Sequence, residues 1–319
     1  MRSLARILVA AAFVFAVPHL AVAEDADALY KQGLAYKQSG KTDEAIKALE
    51  EAVAKNPNHH MAWASLGNLY KTKKEMGKAV EAYEKAVVGI KKDKVLWSNL
   101  GMAYYRNNQV DKALTALTTA MQLDPKDAEI RYNLGTVKRQ KGDYAGAIVD
   151  LEAAVAGNPT EANYRNNLGV AYRFAKREDD AIKALTKAIE LAPNDASFHF
   201  NLAVTYRRKT KDNPDLIPQA IAEYEKATAL DPGNTDGWFD LGYMYKENHD
   251  NDKAINAFHH YLCLNKAKDK PDADADKRIR DELDTLGKSP TASKTPPKKG
   301  TKVDDCPDVK PTDRKKPSK

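Results

Sequence analysis

Asn99, Asn133, Asn167 and Asn201 stand at a constant 34-residue interval, with Ser65 one interval earlier and Asp240 at the matching place one repeat later. An Asn side chain offers a donor and an acceptor that match the peptide group, so a row of them can hold an extended backbone of any sequence. The same row can instead bond neighbouring groups within its own fold. Six residues further on runs a row of cations, Lys37, Lys71, Arg139, Arg173, Arg207 and Lys246, interrupted by Tyr105. Arginines there would fork onto carboxylates and select an acidic partner. The other reading is local: a cation in the last turn of a helix is favourable with the helix dipole by about 0.3–1 kcal/mol.

Catalytic chemistry has little to work with. His259 and Cys263 lie four apart on an expected helix, with His260 adjacent, but without a second cluster they make a weak metal site and read as side chains of a terminal helix. His59 and His60 fall in a junction where exposed polar residues are expected. No Gly-rich phosphate loop, nucleophile elbow or spaced carboxylate pair stands outside the repeats. The expectation is a protein without catalytic residues, metal, cofactor or small-molecule substrate.

The elements that position these rows follow from the same interval. Gly33, Gly67, Gly101, Gly135, Gly169 and Ala203 stand 34 residues apart, and Gly242 follows after an insertion of five. Counted from the start of each unit, position four is aromatic or long (Leu29, Trp63, Trp97, Arg131, Arg165, His199, Trp238). Position seven is apolar (Leu66, Leu100, Leu134, Leu168, Leu202, Leu241), and position eleven is Tyr in most units (Tyr36, Tyr70, Tyr104, Tyr172, Tyr206, Tyr245). These positions form one helical stripe. Positions 20, 24 and 27, as in Ala113, Leu117 and Ala120, form a second stripe on a second helix, which Pro57, Pro125, Pro159, Pro193 and Pro232 close. Gly or Ala at position eight lets the two helices approach, and no single unit can bury its apolar face alone.

This pattern resembles the tetratricopeptide repeat family over units 26–59, 60–93, 94–127, 128–161, 162–195, 196–234 and 235–268. The resemblance implies an all-α, right-handed α-solenoid of seven helix-turn-helix units whose concave groove is lined by the first helices. The asparagine row is similar to the ladder in the repeats of O-linked N-acetylglucosamine transferases, where it grips substrate polypeptide. The roughly 30 residues after Leu286 are too few for a glycosyltransferase domain, so only the repeats share that likeness. A chaperone-type carboxylate clamp is not expected, because position two carries no Lys and position six no Arg after the first unit. Lys138 replaces the Tyr at position eleven, Lys91 and Lys266 replace the closing Pro, and Tyr261 stands where a small residue is expected. Tyr261 marks the seventh unit as close to the end of the stack. Residues 269–286 then read as a capping segment, with Ala275, Ile279, Leu283 and Leu286 as its stripe and Gly287 as its stop. In the sixth unit, Lys209 to Pro218 lengthens the turn between the helices, either as a partner contact or as a tolerated surface insertion.

Both ends differ from the repeats. Residues 1–23 carry Arg2 and Arg6, an apolar core from Ile7 to Val17 and the small-residue signal Ala21-Val22-Ala23, which together read as a cleaved export signal with cleavage near Ala23. A core of about 11 residues is too short to span a bilayer, where roughly 20 are needed. Residues 287–319 hold ten Lys or Arg against four Asp, six prolines and no aromatic residue. Such a segment cannot bury enough surface to fold. It either serves as a solvated extension or binds an anionic envelope surface; export argues against nucleic acid. Since the net charge of the whole chain is +6, the repeat body is left slightly acidic. Cys263 and Cys306 can pair with each other, stay free, or pair between molecules.

The sequence therefore reads as an exported, periplasmic, non-catalytic scaffold or adaptor of the bacterial cell envelope. It would hold an extended segment of a partner protein through Asn99, Asn133, Asn167, Asn201, Arg139, Arg173, Arg207 and Lys246. Self-assembly into a structural protein, or surface binding through the basic tail, are the alternatives.

Overall fold

The computed structural model describes residues 25–287, and within them all regular structure is helical. The predicted export signal, the tail beyond Gly287 and Cys306 lie outside the described residues. The chain divides into two compact units, one ending at Gly157 and one beginning at Asn158. The first contains α1 (25–38), α2 (Thr42–Lys55), α3 (His60–Thr72), α4 (Met76–Gly89), α5 (Lys94–Arg106), α6 (Val110–Leu123), α7 (Ala128–Lys141) and α8 (Tyr144–Gly157). The second contains α9 (Ala162–Phe174), α10 (Glu178–Leu191), α11 (Ala196–Thr210), α12 (Ile217–Leu230), α13 (Thr235–Glu247), α14 (Asn251–Lys266) and α15 (Ala273–Leu286). A single 3-10 turn, Pro214–Leu216, precedes α12. Within each unit, helices consecutive in the chain from α2 onward pack on one another.

Short polar residues start the first helices. The carboxylates of Asp93, Asp127 and Asp195 and the amide of Asn234 each accept from backbone N–H groups of the first turn. Each such cap is worth about 1 kcal/mol. The stop is equally regular: Gly40, Lys74, Asn108, Gly142, Lys176 and His249 all take positive φ at position fifteen. The next N–H then bonds back across the turn, as Glu75 does to the Tyr70 carbonyl and Gln109 to that of Tyr104. This is a Schellman stop, which glycine enters without strain and other residues enter at a cost. The sixth repeat lacks it. There α11 continues through Thr210, so the insertion is taken up by a longer helix and the 3-10 turn.

Packing within each pair follows from the glycine at position eight. The side chains at position 24, Leu49, Tyr83, Leu117, Leu151, Leu185, Tyr224 and Phe258, are fully buried. At Gly101 an added Cβ would stand 2.6 Å from Leu117 Cγ, which shows how closely α5 and α6 approach. Tyr261 is buried too, edge-on to Phe239 at 5.2 Å, and α15 covers this cluster with Ala275, Ile279 and Leu286.

Candidate binding surface on the first helices

The two rows that could hold a partner meet each other. Lys71 Nζ, at the end of α3, donates to Asn99 Oδ1 in the middle of α5 at 2.9 Å. Arg173 Nη1, at the end of α9, donates to the Asn201 backbone carbonyl of α11 at 3.3 Å, and Arg207 Nη1 lies 3.3 Å from Asp240 Oδ1 of α13. Lys246 pairs with Glu282 on α15. In these pairs the cation ending one first helix reaches the centre of the next first helix, or the helix that follows the last repeat. Burial comes first and Arg106 second in lowering the Lys71 pKa from the ordinary lysine value. Asp240 is buried, and this raises its pKa while Arg207 opposes the rise.

The asparagines divide their hydrogen-bonding capacity. Asn133 is buried and donates to Ser98 Oγ at 3.3 Å, the position-five residue of the preceding repeat. Asn201 Nδ2 donates to Asn166 Oδ1 at 2.9 Å, and Asn167 Nδ2 to its own helix at the Asn163 carbonyl. Asn133 and Asn201 thus tie neighbouring first helices together, so part of the row is internal to the array. What remains open is specific: among the described residues, Asn99 Nδ2 donates to nothing and Asn201 Oδ1 accepts from nothing, and both residues are half-buried. Arg139 is half-buried on α7, while Arg173 is buried.

A further regularity is not apparent from residue type alone. At position four Trp63, Trp97 and Trp238 donate Nε1–H to the carbonyl six residues earlier, on Pro57, Lys91 and Pro232, at 2.8–3.0 Å. Arg131, Arg165 and His199 make the same bond to Pro125, Pro159 and Pro193. Three chemically different side chains therefore close the repeat junction by one shared N–H. Position eleven is polar at its tip as well, because the hydroxyls of Tyr70, Tyr104 and Tyr245 donate to Glu50, Glu84 and Glu225, each twenty residues back. In the fourth repeat position eleven is Lys138, the residue twenty back is Thr118 of the third repeat, and Lys138 instead turns to buried Asp150 at 2.6 Å, opposite Arg131 at 2.7 Å.

The histidines are structural. His59 caps α3 and meets the Tyr30 ring at a tilt, 4.7 Å between centroids, His60 Nδ1 bonds the Lys85 carbonyl at 2.9 Å, and both are half-buried rather than exposed. His260 stacks on Trp238 at 4.3 Å, and burial lowers the pKa values of both His259 and His260. Cys263 is half-buried on α14, and the other cysteine of the sequence, Cys306, lies outside the described residues. Among the described residues no group of three or more His, Cys, Asp or Glu is placed to hold a metal ion.

Paired helices with a repeated polar strip on the first helix of each pair define an α-helical repeat protein built for protein contacts. A tetratricopeptide-repeat model described as the cilia and flagella-associated protein 70 C-terminal domain matches residues 9–203, and a tetratricopeptide repeat model matches residues 223–256. The chain belongs to the tetratricopeptide repeat family. No curated protein matches it by sequence. Among solved structures, MamA is 26% identical over 55% of this chain and 95% of its own, with a TM-score of 0.51. A chain in the structure of the APC/C hetero-tetramer Cut9–Hcn1 is 25% identical over 69% of this chain and 43% of the other, at a TM-score of 0.55. A tetratricopeptide repeat protein from Parabacteroides merdae ATCC 43184 shares the fold over 83% of this chain and 99% of its own, at 17% identity and a TM-score of 0.61.

Proposed function

We propose that this protein is a non-catalytic scaffold of the bacterial cell envelope that holds an extended segment of a partner protein along the first helices of its repeats. The observation that carries the reading is one open amide valence in each unit, Asn99 Nδ2 in the first and Asn201 Oδ1 in the second, each on a half-buried residue beside a cation. Each of these valences can pair with one half of a peptide group, a donor with its carbonyl or an acceptor with its N–H. A chain of comparable fold is found in the APC/C hetero-tetramer Cut9–Hcn1, which supports an assembly role. The predicted export signal at residues 1–23 supports a compartment outside the cytoplasm.

The test is in-cell crosslinking from a photoreactive residue at position 167, beside a control at exposed Lys183 on α10. A specific protein captured from 167 alone is the expected result. Capture of the chain by itself, or equal capture at both positions, contradicts the reading and favours self-assembly.

A further inference from the structure

The missing left-handed turn of the sixth repeat has a local result. Because α11 runs on through Thr210, Lys211 follows in helical conformation and shares one surface with Arg207 and Arg208. With Phe239 and Tyr243 of α13 and Arg278 of α15 they line a cleft of about 740 Å³ within the second unit, and one acid, Glu247, stands among them. Arg207 is engaged with Asp240, and Arg208 has Glu178 at 3.7 Å. Lys211 and Arg278 are exposed and make no ion pair among the described residues.

The floor is aromatic. Phe239 and Tyr243 meet edge to face at 5.1 Å, both half-buried, and the Arg278 guanidinium lies over Phe239 at 5.9 Å. An arginine held over a ring keeps its donor edge free for a carboxylate, and the ring beside it offers apolar area. With Arg207 and Arg208 already facing Asp240 and Glu178, Lys211 and Arg278 are the two cations left against the one lining acid, Glu247, and they favour an anionic ligand at the mouth.

We propose that this cleft binds the acidic part of a polypeptide: a stretch carrying two or more carboxylates next to an apolar side chain. The carboxylates bond Lys211 and Arg278, and the apolar side chain lies on Phe239 and Tyr243. The proposal rests on the scaffold reading and assigns to it the chemistry of one anchor point, separate from the asparagine row.

The test uses the full chain and a fluorescein-labelled peptide of alternating Glu and Leu, with a Gln-for-Glu counterpart, read by anisotropy at about 150 mM salt, where only close charge contacts survive screening. Saturable binding of the Glu peptide is expected, with none of the Gln peptide at the same concentrations. The double variant Lys211→Glu/Arg278→Glu should weaken binding about tenfold or more through loss of two charge-assisted contacts, with an unchanged melting temperature. Equal binding by the double variant, no saturable binding, or equal binding of an inorganic polyphosphate would overturn the proposal. The two readings fail separately. If the double variant still captures its partner from position 167 while the Glu peptide never binds, the cleft is refuted and the scaffold stands; no capture from position 167 in the unaltered chain refutes the scaffold itself.

Discussion

Gly101→Ala puts the close approach of the paired helices to a quantitative test. A methyl group there would lie 2.6 Å from Leu117 Cγ, 3.0 Å from Cδ2 and 3.2 Å from the Leu117 backbone nitrogen. Carbon atoms sit comfortably at about 3.5–4.0 Å, so α6 has to retreat or Leu117 has to leave its rotamer. Overpacking of this kind costs about 1–3 kcal/mol, while Gly to Ala inside a helix gains about 0.8–1 kcal/mol of propensity. The contact term is the larger, and a net loss of about 1 kcal/mol is expected. Gly77→Ala is the matched control: it too is helical, in α4, with nothing within 4 Å of the added carbon, and should gain up to about 1 kcal/mol. Urea unfolding followed by circular dichroism reads both variants. A Gly101→Ala protein as stabilised as Gly77→Ala would refute the claim that position eight is set by helix packing.

Three more expectations follow from the described contacts. Asp150→Ala leaves Arg131 and Lys138 without their buried partner and should cost about 3–5 kcal/mol in the same unfolding assay, whereas a loss below about 1 kcal/mol would mean that solvent replaces it. Lys176→Gly relieves a side chain held at φ 60° and should stabilise by about 0.5–1 kcal/mol, after the entropy that glycine adds to the unfolded chain; an unfolding midpoint at or below that of the unaltered chain would mean that no strain is held there. Burial holds His259 and His260 below the ordinary histidine value of about 6.5, so their folded forms resist protonation. A lowered folded pKa means stability that is present above the unfolded value and lost as the pH falls below it. The melting temperature should therefore drop between about pH 7.5 and 5.5, and His259→Gln/His260→Gln should flatten the drop.

Much of the fold could be read from spacing. The 34-residue interval at Gly33 to Gly169 and the stripes at positions 20, 24 and 27 specify paired helices, because close packing needs small residues at fixed places on both partners. What spacing did not reveal were contacts made by one shared atom type. Trp97, Arg131 and His199 read only as aromatic or long residues, yet each presents an N–H to the carbonyl six residues back, a common donor that their unlike shapes conceal. The left-handed stop was hidden for a similar reason. Only Gly40 and Gly142 advertise it, and Lys74, Asn108, Lys176 and His249 adopt it under the pull of the helix pair. The site was legible as two rows but not as one network, since the reach from Lys71 to Asn99 spans 28 residues and depends on how neighbouring repeats stack. The cleft at Arg278 depends on where α15 docks and on the lost turn in α11, neither of which the repeat pattern carries.

The most direct test of the central claim is the affinity of the captured partner for the purified protein with both open amides removed, Asn99→Ala/Asn201→Ala, beside an outer-surface variant, Lys183→Ala. Two lost hydrogen bonds at about 1 kcal/mol each predict a weakening of roughly thirtyfold, against no change for Lys183→Ala. Equal affinity for all three proteins, with melting temperatures unchanged, would contradict the account and leave the asparagine row a packing feature of the array.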